Sequence, residues 1–152
     1  MQKYNKIVLA ADMFVEAHER FINAKLPVDL VASLMLSGAV EGIVAPLLKE
    51  QGKRSAHQLL AALSDLVGEP GTSPTHEGIF RTVYNGLKHA GDRRGAVEPS
   101  ADLELSADLR VEAAEMLEAA KEHFGKVLVA SEVRSELSPR FVELLTSGDD
   151  YA

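Results

Sequence analysis

The sequence predicts an all-α fold, a bundle of five or six helices around one apolar helix at about residues 28–49. Three observations predict it. Apolar residues recur at three- and four-residue spacing along most of the chain, the period of a helix with one buried face. Serines, Ser-Pro steps and glycines fall where such segments begin and end. Finally, 152 residues of which 46% are hydrophobic suffice for one core without disulfides or metal. One domain is therefore expected over residues 1–148, with a polar tail at 149–152.

Residues 5–24 place Ile7, Ala10, Ala11, Phe14, Ala17 or His18, and Phe21 on one face, with Asp12, Glu16, Glu19, Arg20 and Asn23 opposite. Leu26-Pro27 closes this first helix, since a residue before proline is pushed out of helical conformation. Asp12 and Glu16 interrupt the apolar run Ile7–Ala11 before a secretory core could reach normal length. From Val28 to about Lys49 the pattern changes: between Leu30 and Leu48 the single ionisable residue is Glu41. Such a segment is apolar nearly all round. Ser33, Ser37, Gly38, Glu41, Gly42 and Pro46 favour a packed core helix over a membrane span, and Pro46 is expected to break or kink its last turns.

Ser55–Val67 carries Leu59, Leu60, Leu63, Leu66 and Val67 and stops at Gly68, which predicts a short third helix. A loop over Glu69–Thr72 precedes Ser73-Pro74, the start signal of a fourth helix running to about Ala90. The connection 91–105 is long for a compact domain, and the alternation in Asp102–Leu105 permits a short strand. Ser106 then caps a long helix whose stripe is Leu109, Ala113, Met116, Leu117, Ala120, Phe124, Val127 and Leu128, with Glu112, Glu115, Glu118 and Glu122 facing water. Ser138-Pro139 starts a last helix bearing Phe141, Leu144 and Leu145.

Composition narrows the chemistry. There is no cysteine, which removes disulfides, thiolate metal sites and thiol catalysis and makes the cytoplasm the default setting. A net charge of −7 argues against a protein that coats nucleic acid, while leaving room for a compact anion site. No glycine-rich phosphate loop, Gly-x-Ser-x-Gly elbow or dinucleotide fingerprint occurs, and no Glu-x-x-His pairs suggest a metal-bearing bundle. Neither a cofactor nor a metal is expected. His18 reads as a packed side chain among Phe14, Phe21 and Ile22, and His57, His76 and His123 carry weaker signals still.

The candidate site lies on the fourth helix. Phe80, Val83, Tyr84 and Leu87 form its inner side, whereas Glu77, Arg81, Asn85 and His89 recur every four residues along a neighbouring stripe. Lys88, Arg93 and Arg94 follow closely, a basic cluster in an acidic chain. On the apolar helix, Ser33, Ser37 and Glu41 also recur every four residues; a buried carboxylate there needs a partner, for which spacing offers Arg81, Lys88 or His89. The same residues admit a structural account, with Glu77–Arg81 as a helical ion pair and Lys88 and His89 offsetting the negative end of the helix dipole.

The segment Asn85-x-x-Lys88-His89-Ala90 at a helix end, one turn after an arginine, resembles the HEPN superfamily of helical domains. It is similar, more narrowly, to bacterial helical proteins with an Asn-x-x-Lys-His-Ala type segment. The resemblance implies a helical bundle that dimerises and, in active members, a metal-independent ribonuclease. It would make His89 the group acting on a ribose hydroxyl or leaving oxygen, Arg81 the phosphate clamp and Asn85 an orienting residue, with Lys88, Arg93, Arg94 and Glu41 as further ligand-binding groups. The expected ligand is RNA or a nucleotide. The alternative is a non-enzymatic, homodimeric protein-interaction module; neither reading places the chain in a membrane.

Overall fold

The computed structural model describes residues 1–54, 82–89, 98–148 and 151. Among them are six α-helices and one 3-10 turn, with no strand: α1 (Lys6–Ile22), α2 (Pro27–Glu50), α3 (Thr82–Lys88), the 3-10 turn Pro99–Ala101, α4 (Leu109–Lys126), α5 (Ser131–Arg134) and α6 (Pro139–Thr146). The helices pack as a bundle, as the hydrophobic spacing predicts. The chain divides into two compact units, one made of Met1–Ala56 with Leu109–Ala152 and the other of His57–Asp108. The third helix expected over Ser55–Val67, and the first half of the fourth, lie outside the described residues.

In the first unit each helix starts where a side chain can satisfy an orphan backbone donor. Asn5 Oδ1 accepts from the Ile7 amide at 2.8 Å to open α1, and Ser138 Oγ accepts from the Phe141 amide at 3.2 Å to open α6. At the head of α2, Pro27 occupies the first turn, where its missing N–H is no loss, and one Asp29 carboxylate oxygen accepts from both the Lys25 and Leu26 amides at 3.0 Å. The other end of α2 closes on Gly52, whose φ of 70° is the left-handed turn that glycine adopts without strain. Gly52 and Lys53 there donate to the Lys49 and Leu48 carbonyls, a double closure of the last turn.

Helix α2 continues through Pro46 to Glu50, contrary to the expected break. The carbonyl that proline deprives of a donor belongs to Gly42, which is exposed with open space around its α-carbon, so solvent satisfies it. Burial of α2 is one-sided. Ser33, Leu34, Ser37, Gly38, Val40, Glu41, Val44 and Leu48 are buried, whereas Met35, Leu36, Ile43 and Leu47 are half-buried. Both α1 and α4 pack against α2. By length and composition α2 could cross a membrane, yet its buried stripe is the one that carries Glu41 and both serines.

The core is completed by three aromatic rings from three helices. Phe14 of α1 meets Phe141 of α6 and Phe124 of α4 edge-on at 5.9 and 6.4 Å, and Phe124 meets Phe141 at 4.7 Å. The ends of α2 and α4 are also tied together: the Gln51 amide donates to the Leu128 carbonyl at 2.9 Å and accepts from its N–H at 2.8 Å. Lys53 donates to the Lys126 carbonyl, which places a cation at the negative end of α4.

Three further expectations shift. The strand permitted at Asp102–Leu105 is not formed, and Leu103 and Leu105 are exposed. Helix α4 starts at Leu109 rather than after Ser106; Asp108, a residue of the same capping class, immediately precedes it. Since α4 ends at Lys126, Leu128 leaves the buried stripe and is exposed, held by its backbone instead. Tyr151, in the segment expected to be a polar tail, is buried.

Candidate functional site

Within the second unit, α3 displays the central part of the predicted stripe. Val83 and Tyr84 are buried and Leu87 is half-buried, while Thr82, Asn85, Gly86, Lys88 and His89 are exposed. The 3.6-residue period makes this division: one side of a seven-residue helix is spent on packing, and the polar residues take the other. The Lys88 ammonium lies 4.8 Å from the centroid of the Tyr84 ring, a cation–π contact that steadies the side chain over the edge of the buried face. Leu105 approaches the helix at Gly86, where a β-carbon would come to 3.3 Å from its Cδ1.

Helix α3 ends at Lys88, so His89 stands just past the last turn instead of within it. Asn85 and His89 are still one turn apart in sequence, and both meet solvent. Lys88 is the basic residue of the last turn, where it offsets the helix dipole and remains available to an anion. Chemically, the set offers an amide, an ammonium and an imidazole on one open surface. Glu77, Arg81, Arg93 and Arg94, the rest of the predicted cluster, lie outside the described residues.

Glu41 stands in a different environment. It is 1% exposed, and its Oε1 is 3.6 Å from Nδ1 of His123, which is 0% exposed. This α2–α4 pair was not singled out by spacing, which offered Arg81, Lys88 or His89 as the partner. One signal could have found it: His123 falls three residues after Ala120 and seven after Met116, on the apolar stripe of α4, where a histidine is unexpected. A carboxylate buried to this degree cannot reach a ligand in solvent, so its place in the core sets it apart from the exposed residues of α3.

The serines of the same stripe are buried too. Ser37 Oγ donates to the Ser33 carbonyl at 2.7 Å, satisfying itself within the helix. Ser33 Oγ has no hydrogen-bond partner among the described residues. His18 is buried with its ring edge-on to Tyr151 at 5.6 Å, in keeping with a packed histidine. Among the described residues, no three His, Asp or Glu side chains are grouped so as to hold a metal ion.

No family model, curated protein or solved structure matches this chain.

Proposed function

We propose that this chain binds RNA, or another phosphate-bearing ligand, at the end of α3, as its resemblance to the HEPN superfamily implies. The observation that carries the reading is the joint exposure of Asn85, Lys88 and His89 on a helix that turns Val83 and Tyr84 inward. Lys88, with Arg81, Arg93 and Arg94 nearby in sequence, supplies the phosphate contacts. Asn85 orients the ligand. In substrates that are cleaved, the His89 imidazole moves the proton at the ribose hydroxyl or the leaving oxygen, without a metal. Glu41, buried against His123, takes no part in this ligand set. A homodimer in the cytoplasm is part of the same proposal, with α2 serving the protein core rather than a bilayer.

A second reading, a protein-interaction module without catalysis, draws on one observation: Ile22, Leu26 and Val28 are all exposed around the α1–α2 turn. The two readings separate in one experiment. The purified chain and its His89→Ala and Arg93→Ala/Arg94→Ala variants are incubated with mixed structured and single-stranded RNA in excess chelator, over a series of salt concentrations. The RNA reading expects salt-dependent binding by the parent, a flatter salt dependence in the double arginine variant, and loss of any cleavage in His89→Ala with folding retained. No binding by the parent at low salt would overturn it.

A further inference from the structure

Tyr151 is 8% exposed, although Thr146 and Gly148 before it are open to solvent. It lies beyond the last helix, so nothing in the secondary structure holds it there. Four side chains do, and they come as two pairs spaced by three residues on two helices. From α1, the His18 and Phe21 rings meet the Tyr151 ring edge-on at 5.6 and 5.9 Å. From α4, Glu118 accepts from the Tyr151 backbone N–H at 3.0 Å, and the Lys121 ammonium lies 5.6 Å from the ring centroid. Lys121 also donates to the Ser147 carbonyl at 2.8 Å.

These contacts divide the labour of a peptide receptor. Glu118 and Lys121 grip one donor and one acceptor of a main chain, which any sequence provides. His18, Phe21 and the Lys121 charge select an aromatic side chain, whose ring has positive edges for the facing rings and a negative face for a cation. A merely structural tail end has no need of both kinds of recognition on one residue.

We propose that the cleft between α1 and α4 is a docking site for an extended peptide segment with a tyrosine anchor, and that Tyr151 occupies it reversibly as an internal competitor. The tether gives Tyr151 an effective concentration on the order of millimolar, so a free peptide of similar chemistry is held off until the residue is removed or displaced.

The test uses a fluorescently labelled peptide of residues 145–152 and the full chain carrying Tyr151→Ala, with circular dichroism confirming its helices. Saturable binding to Tyr151→Ala, at least about tenfold weaker binding to the unaltered chain, and about tenfold weakening when Lys121→Ala is added are the expected results. The same peptide carrying alanine in place of its tyrosine should not bind. Absence of binding to folded Tyr151→Ala, or equal binding to both chains, overturns the proposal. Should Tyr151→Ala fail to fold, the unaltered chain decides: a few millimolar peptide must move the Tyr151 ring resonances towards those of a solvent-exposed tyrosine. Resonances that stay in place refute the docking site.

Discussion

Breaking the Glu41–His123 pair should destabilise the chain strongly, while replacing both partners should not. The two groups are 1% and 0% exposed and 3.6 Å apart, so each stands in surroundings where an isolated polar or charged group is costly. Removing one member of a buried pair typically costs about 3–5 kcal/mol, because the remaining group loses its compensation. That is a large share of the roughly 5–15 kcal/mol by which a domain is stable. Replacing both by apolar residues of similar volume is commonly neutral, or stabilising by about 1–4 kcal/mol. Glu41→Leu and His123→Leu alone should therefore each lower the urea midpoint markedly, followed by circular dichroism at 222 nm, and the double variant should recover most of the loss. A coupling of at least about 1 kcal/mol is expected for residues in contact. Additive losses in the double variant would refute the pairing. If the double variant folds, it also shows whether Glu41 bears on RNA binding, which the burial of its carboxylate says it does not.

Phe14→Ala removes the ring that joins α1 to α4 and α6, and should cost about 3–5 kcal/mol, whereas Phe14→Leu should cost under about 1.5 kcal/mol; equal losses on thermal or urea unfolding would contradict the three-ring core. The Asp29 carboxyl is held below its ordinary range, first by the hydrogen bond from the Leu26 amide and then by that from Lys25. Because its folded value is the lower one, the contribution is present above the usual carboxylate range and is lost as the pH falls through the folded value. A nuclear magnetic resonance titration should place the Asp29 midpoint below about 3.9, and Asp29→Asn should lose less stability on acidification than the parent; an ordinary midpoint would contradict the cap.

The helical fold was legible because its signals are local. The Asn5 and Ser138 caps, the proline at the first position of α2 and the repeat of Phe14, Ala17 and Phe21 each specify structure within a turn or two. What spacing could not supply was the pairing of distant helices. Glu41 clearly required a partner, but whether that came from α3 or α4 depends on which helices adjoin, and His123 sits 82 residues away in sequence (123 − 41). The passage of α2 through Pro46 depends likewise on exposure at Gly42, a tertiary property. Tyr151 escaped notice because one aromatic residue in a run of Gly, Asp and Ala has no periodicity to declare it buried. On α3, the inward and outward faces followed the helical period, while the early end that leaves His89 outside the helix did not.

The Gln51–Leu128 clamp joins residues 77 apart in sequence. It therefore sets a schedule for the ribosome. At about 5–20 residues per second, roughly 4–15 s separate the synthesis of these two residues. Throughout that interval the stripe of α2 that holds Leu34, Val40, Val44 and the Glu41 carboxylate has been made but its cover, α4, has not. The nascent chain thus carries its most apolar helix with one face uncovered while the whole second unit is being added. A single long-lived carboxylate on that face is a physical brake on premature self-association, since two such stripes cannot meet without burying two like charges.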